Sequence, residues 1–325
     1  MSKTVVNWGV LGASDFARKV MAPAINEGRR SRLLAIGTRD AAKAEPFAAV
    51  VPDLRVHDGY EALLADPEVD AIYVPLPNAM HVEWTEKAAR AGKAVLCEKP
   101  IGLSLRDVDR LIALRDELGV FIAEAWMPAH HPQWTRAREI VQGGRLGRLH
   151  TVTGVFTYGL NEPGNVRNSA DLGGGAIRDI GVYPIGAFCF ATGLEPTVTG
   201  AEAIWETGID ASTWVQARAG DVRFSFHVSM RTTKRQEMAF EGDEGWLIVR
   251  APFNAGQFGQ ADLHLRREGE EDVIHRFPDV RQYVLQVEAV AATLLDGAPY
   301  AVPLEQSRRT QAVVDGVFDR LAAPE

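Results

Sequence analysis

The sequence predicts an α/β chain in which a doubly wound parallel sheet is followed by an α+β domain with an open-faced, mainly antiparallel sheet. Three observations predict it. Over the first third, short apolar runs alternate with amphipathic stretches, the pattern of βαβ units. At Gly9-Val10-Leu11-Gly12-Ala13-Ser14-Asp15-Phe16-Ala17 an apolar run passes through a glycine turn into a helical pattern. After Trp126 the segments lengthen and alternate with a period of two, as strands with one covered face require. The division expected from this change of pattern is residues 1–125 and 126–325.

The strands expected in the first part are Val5–Val10, Leu33–Thr38, Ala71–Pro75, Ala94–Cys97 and Val120–Ala123. Between the last two, Ser104 is placed to cap a helix running to Leu118, with Val108, Leu111, Ile112 and Arg115 at helical spacing and Gly119 as its C-cap. The second part opens with a helix over Gln133–Val141. Antiparallel strands follow at Leu149–Tyr158, Thr197–Trp205, Thr213–Ala219, Val222–Met230, Gln236–Glu241 and Trp246–Val249. In one of them Phe224, Phe226, Val228 and Met230 share a face, while Arg223, Ser225, His227 and Ser229 share the other, which leaves a sheet face for a partner subunit. Two helices, Gln282–Leu295 and Glu305–Leu321, end the chain.

The 325 residues are 46% hydrophobic and 24% charged with a net charge of −8, enough chain for two cored domains. No Lys/Arg block suits nucleic acid or an anionic membrane, so a small molecule is the expected partner. Neither a signal peptide nor a membrane-spanning run is expected, and the expected location is the cytoplasm. Cys97 and Cys189 lack CxxC spacing and read as reduced core residues.

The turn at 9–17 ends a strand and begins a helix, so backbone N–H groups and the helix dipole can meet a pyrophosphate. Of the usual G-x-G-x-x-G, the second glycine is Ser14 and the third is Ala17. Gly9, Gly12, Ala13, Ser14, Asp15 and Phe16 are the expected cofactor contacts; the alternative is a tight turn with Ser14 as N-cap. The second strand ends in Thr38-Arg39 where an acidic residue usually binds the ribose of NAD. A guanidinium there suits a 2′-phosphate, with Lys43 adding charge, so NADP is expected over NAD. Asp40 is either an N-cap or a ribose ligand that favours NAD.

This turn, Pro77-Asn78-Ala79-Met80-His81, Glu98-Lys99-Pro100 and the run Gly173-Gly174-Gly175-Ala176-Ile177-Arg178-Asp179-Ile180-Gly181-Val182-Tyr183 resemble the Gfo/Idh/MocA oxidoreductase family over nearly the whole chain. Tyr183, where much of the family has His, together with Glu124-Ala125-Trp126, resembles its dimeric dihydrodiol/D-xylose dehydrogenase and glucose–fructose oxidoreductase branches. The resemblance implies a Rossmann domain, an open-faced sheet domain and a nicotinamide in the cleft between them. It also implies that Leu76, Pro77, Asn78, His81, Glu98, Lys99 and Pro100 lie along the cofactor.

Asp179 and Tyr183 are four apart in a mostly apolar helical stretch, 174–190, which Pro184 must kink or open. Their alternative reading is a pair of satisfied interface bonds. Oxidising a carbinol removes a hydride and a proton, so a base must reach the hydroxyl. Tyr183 is that candidate. A free tyrosine titrates near about 10, and a neighbouring ammonium favours its phenolate. Lys99 is expected to supply that charge and hold the substrate oxygen, with Asp179 orienting the sugar or Lys99.

Further candidates each carry a plainer reading. His81 belongs either to the cofactor cleft or to helix-start packing, and Trp126, a cofactor candidate at the domain junction, is either a stacking wall for a sugar ring or interdomain packing. His130-His131-Pro132 is no metal site, since adjacent rings point apart and no carboxylates accompany them, but His131 is a substrate candidate. Asn165 (substrate), Arg167 (cofactor) and Asn168 lie in a polar loop that otherwise reads as solvated. Tyr283 opens the penultimate helix as a cofactor contact. The expected activity is an NADP-dependent dehydrogenase or reductase of a sugar or polyol, in a homodimer or homotetramer built through the open sheet face. The alternatives are a self-contained oxidoreductase that never releases its nucleotide and a non-catalytic NADP-binding regulator.

Overall fold

The structure, a computed structural model, describes residues 3–322. Six strands, β1 (Val6–Leu11), β2 (Ser31–Thr38), β3 (Arg55–Asp58), β4 (Ala71–Val74), β5 (Ala94–Cys97) and β6 (Ile122–Glu124), form a sheet in the order β3-β2-β1-β4-β5-β6. Every pair is parallel. The order reverses between β1 and β4, and the carboxyl ends there are where such sheets receive nucleotides. β3 is the strand missing from the sequence reading. Its residues, Arg55-Val56-His57-Asp58, sit at the sheet edge and are exposed or half-buried, so no apolar run marks it.

The other strands are buried on both faces. Val6, Trp8 and Val10 pack into one core with Met21, Ile25, Leu33 and Phe47, while Leu11 joins Leu63, Ile72, Trp84, Val95 and Val108 in the other. Four α-helices accompany them: α1 (Ala22–Glu27), α2 (Tyr60–Leu64), α3 (His81–Arg90) and α4 (Leu105–Leu118). Gly119 closes α4 at φ +64°, as a C-cap glycine does. The Lys99–Pro100 peptide is cis.

Next come α5 (Pro132–Gln142), β7 (Leu149–Gly159), α6 (Val182–Thr192), β8 (Thr197–Glu206), β9 (Ile209–Ala219), β10 (Val222–Ser229), β11 (Arg231–Gly242), β12 (Gly245–Arg250), β13 (Asp262–Arg267) and β14 (Val273–Arg276). The sheet order is β14-β13-β12-β11-β7-β10-β9-β8. Expecting all these strands to be antiparallel needs correction, because β10 pairs parallel to β7. The chain between them returns through α6 and the β8–β9 hairpin, which is the crossover a parallel pair needs.

One sheet face carries Phe224, which stacks on Phe188 of α6 at 4.6 Å. Trp134 of α5 donates to Pro252 O at 2.6 Å, beside β12. Ser229, expected on the outer polar face, is fully buried: its Oγ lies 2.6 Å from Ser212 Oγ and accepts from Arg231 N. Elsewhere on the outer face Trp214 stacks on His227 at 4.7 Å, and Ile204 and Trp205 are exposed.

The proline in α6 is accommodated one step earlier than its own position. A π-helical turn, Ile177–Gly181, leads into α6, and Pro184 follows within the next turn. The glycine-turn helix repeats the device, with a π-turn at Ala17–Met21 ahead of Pro23. A wider turn absorbs the hydrogen bond that proline cannot donate.

The last helices are α7 (Gln282–Asp296) and α8 (Leu304–Ala322). The chain forms two compact units, one comprising the chain up to Gly102 with Arg106–His130 and Arg281–Glu305, the other Leu103–Leu105, His131–Val280 and the chain from Gln306 on. Arg281–Glu305 groups with the first because Val287, Val290 and Ala291 of α7 lie in the core of Val6 and Trp8. Both cysteines are buried free thiols. No helix among the described residues is long and apolar enough to cross a membrane.

Candidate active site

The glycine turn follows β1 directly. Gly12 has φ +86°, a conformation only glycine adopts without strain, and its N–H donates to Gly37 O at 2.8 Å. Ser14 Oγ accepts from Ala17 N at 3.1 Å, so the residue in the second glycine position caps the helix. Asp15 is paired with Lys19 at 2.7 Å and Arg18 at 3.1 Å, which hold its carboxyl below the usual range. Phe16 and Tyr283, both cofactor candidates, meet edge to face at 5.7 Å.

At the end of β2, Thr38 Oγ1 accepts from Asp40 N at 3.2 Å, and Asp40 Oδ1 accepts from Ala42 N at 3.1 Å. Asp40 therefore caps the short turn Ala41–Lys43. Arg39 and Lys43 are exposed there. A strand-end glycine turn with two exposed cations beyond the neighbouring strand fits a dinucleotide carrying a 2′-phosphate.

After β4 and β5 the chain is held by buried polar groups. Tyr73 OH donates to Glu98 Oε1 at 2.5 Å, and burial together with that carboxylate pushes the phenol well above its ordinary value. Glu98 Oε2 accepts from Lys99 N at 3.3 Å, and Glu124 Oε1 accepts from Ile101 N at 2.9 Å. His81 is fully buried, with Nδ1 2.7 Å from Pro100 O and Nε2 2.7 Å from Leu76 O. Both ring nitrogens of this cofactor candidate thus face backbone. Leu76 and Trp126 are buried, while Pro77, Asn78 and Lys99 are half-buried.

In the second unit the glycine run turns the chain into α6. A Cβ on Gly174 would collide with Arg167 O, and Gly175 has φ +111° against Asp210. Asp210 accepts from Ile177 N at 2.8 Å and Thr213 Oγ1 at 2.9 Å, while its burial raises its carboxyl. The helix entry so fixed carries Asp179 and Tyr183, both buried. Asp179 Oδ2 accepts from Tyr158 OH at 2.7 Å and lies 3.0 Å from Arg167 Nε. The Asp179 carboxylate chiefly raises the Arg167 guanidinium above its ordinary value, whereas burial is the main cause raising the Tyr158 phenol. Tyr183 packs at 5.2 Å against both Phe156 and Phe253.

Arg167, a cofactor candidate in the sequence, is therefore placed on the carboxylate of Asp179. Asn165 accepts from Arg167 N at 3.1 Å, capping the turn Val166–Asn168, and Asn168 accepts from Arg231 at 3.0 Å. His131 Nδ1 accepts from Gln133 N at 3.1 Å, so this substrate candidate is the N-cap of α5. Sequence reasoning missed Tyr158 and Tyr73. Tyr158 has the same strand parity as the buried Phe156, a signal that could have placed it on the α6 side of β7. Among the described residues no group of three or more His, Cys, Asp or Glu could hold a metal.

A doubly wound parallel sheet with a glycine turn at its switch point is the architecture of a dinucleotide-binding protein. Residues 6–125 match the oxidoreductase family with the NAD-binding Rossmann fold, and residues 134–248 match the GFO/IDH/MocA C-terminal domain. The chain belongs to the Gfo/Idh/MocA oxidoreductase family. It is 35% identical over 273 residues to the dTDP-3,4-didehydro-2,6-dideoxy-alpha-D-glucose 3-reductase of Saccharopolyspora spinosa, covering 82% of this chain and 81% of that one. It is 29% identical to the D-xylose 1-dehydrogenase (NADP(+)) 2 of Haloferax volcanii over 96% of each. The crystal structure of KijD10, a 3-ketoreductase from Actinomadura kijaniata in complex with NADP and TDP-benzene, superposes with a TM-score of 0.90 at 30% identity over 97% of both chains. Variants of KijD10 with a tyrosine changed to phenylalanine and a lysine changed to alanine also hold both ligands.

Proposed function

We propose that this protein transfers a hydride between NADP and a carbinol carbon of a sugar or sugar-like polyol, as a dehydrogenase or a keto-sugar reductase. One observation carries the reading. The lysine and the tyrosine altered in the KijD10 variants stand as far apart in that chain as Lys99 and Tyr183 do in this one. The named activities of the relatives, a sugar ketoreductase and a sugar dehydrogenase, support the same chemistry.

Gly12, Ala13 and Ser14 would receive the pyrophosphate, Arg39 and Lys43 the 2′-phosphate, and Phe16 with Tyr283 an apolar side of the nucleotide. The bound nicotinamide supplies the hydride acceptor or donor. Lys99 holds the substrate oxygen by its ammonium. In oxidation Tyr183 takes the hydroxyl proton as the C–H bond gives up its hydride; in reduction it returns that proton to the carbonyl oxygen. Phe156 and Phe253 wall the Tyr183 ring and keep bulk water from it. Asp179, already held by Tyr158 and Arg167, presents its carboxylate to a neighbouring sugar hydroxyl.

Subunit association across the sheet face that exposes Trp205 and Trp214 belongs to the same reading. The test is a panel of aldoses, anhydro-sugars, inositols, trans-diols and nucleotide-linked sugars with NADP(H), followed at the nicotinamide absorbance. Turnover of a sugar or polyol is expected, and its absence across the panel would overturn the proposal.

A further inference from the structure

The segment carrying Lys99 is pinned on three sides by groups that belong to other elements. Tyr73 of β4 holds Glu98 at 2.5 Å, Glu124 of β6 holds Ile101 N at 2.9 Å, and His81 of α3 holds Pro100 O at 2.7 Å. The second nitrogen of His81 reaches a second loop, at Leu76 O. A carbonyl oxygen only accepts, so a hydrogen bond to either one needs a hydrogen on the facing nitrogen. Burial, the main cause, and the Lys99 ammonium hold the ring's pKa below the ordinary histidine value, so near neutral pH the uncharged ring donates its one N–H to one carbonyl and packs against the other. Both ring nitrogens face backbone.

We propose that His81 is a positioning residue that clasps the loop after β4 to the loop after β5 and thereby sets where the Lys99 ammonium stands over the nucleotide. The clasp rests on the function proposed above. Leu76 begins the segment expected beside the nicotinamide ribose, and Pro100 directly follows Lys99, so one rigid ring couples the cofactor floor to the cation on the substrate oxygen. Displacement of a reacting group by about 1 Å costs on the order of 100-fold in rate. A residue that touches neither substrate nor cofactor can therefore govern turnover.

The test compares His81→Ala, His81→Asn, His81→Gly and Lys99→Ala in the full chain. His81→Ala is expected to lower kcat by about 100-fold while the dissociation constant for NADP stays close to that of the parent. His81→Asn, which retains one amide donor, recovers part of that loss, and added imidazole restores turnover to His81→Gly. In the unaltered protein, nitrogen-15 NMR should show a His81 ring N–H protected from solvent exchange, a result that does not depend on any variant folding. Parent-like kcat in His81→Ala beside an inactive Lys99→Ala would overturn the clasp and leave the proposed function standing. A ring N–H exchanging as fast as an exposed histidine's would also overturn it. Parent-like turnover in Lys99→Ala would instead remove the function on which the clasp rests.

Discussion

Arg167 Nε stands 3.0 Å from Asp179 Oδ2, and Tyr158 OH donates to the same oxygen at 2.7 Å. The carboxylate expected to orient a sugar or Lys99 is therefore already fixed from within its own unit. A carboxylate buried beside α6 needs such partners, since an uncompensated buried charge is strongly destabilising.

Tyr158→Phe removes a hydroxyl donor from an ionised acceptor and is expected to destabilise the protein by about 1.5–3 kcal/mol. Arg167→Met removes the cation facing the buried Asp179 carboxylate; solvent at the 44% exposed guanidinium screens part of the loss, so a cost of about 1–3 kcal/mol is expected. Urea denaturation of the two variants measures both values. A Tyr158→Phe midpoint equal to the parent's would show that the bond contributes nothing to stability.

Lys99→Ala and Tyr183→Phe are each expected to lower turnover by about 100- to 10,000-fold, the usual range for losing a positioned proton-transfer group or its activating charge. NADPH should still bind, as read by the fluorescence of its dihydronicotinamide. Near-parent turnover in either variant excludes the assigned role of that residue.

Arg39→Asp places a carboxylate where a 2′-phosphate is expected. NADP affinity should fall by at least about tenfold, one charge-assisted bond being worth about 1.5–3 kcal/mol, while NAD is spared or improved. Dissociation constants for the two nucleotides measured side by side decide it, and an unchanged ratio would refute the assignment.

Two adjacent histidines set an acid limit on stability. Burial lowers His130 and His131 to about 4 each, against about 6.5 in an unfolded chain. Between these values the unfolded chain binds more protons, so stability rises with pH. Their contribution is complete above about pH 6.5 and is lost as the pH falls toward about 4. His131 also loses its bond from Gln133 N when Nδ1 is protonated. The urea midpoint should drop across this window, and His131→Asn, which can still cap α5, should flatten the profile. A His131→Asn profile as steep as the parent's would contradict this account.

The parallel sheet was legible because its central strands are buried on both faces and read as unbroken apolar runs, as in Ala94–Cys97. β3 was not, because an edge strand of Arg55-Val56-His57-Asp58 lacks that pattern. Short outer strands such as β14, with its residues exposed or half-buried, escaped for the same reason. The glycine turn and its Ser14 cap could be read from local chemistry alone. The partners of Asp179 could not, since Tyr158 and Arg167 meet it through a strand and a loop that no spacing rule links to α6. His81 was readable as a choice between two roles, and the two carbonyls around its ring are purely tertiary.

The return of α7 to the first unit carries a consequence for how the protein is made. Val287, Val290 and Ala291 fill the core that holds Val6 and Trp8, some 280 residues upstream. The nucleotide-binding sheet consequently cannot be completed while the first half of the chain leaves the ribosome. At about 5–20 residues per second it waits on the order of ten seconds or more with that apolar face uncovered. The β7–β14 sheet, whose last strand ends at Arg276, leaves the ribosome before α7, so it can assemble before the core of the first sheet is filled although synthesis of that first sheet begins earlier.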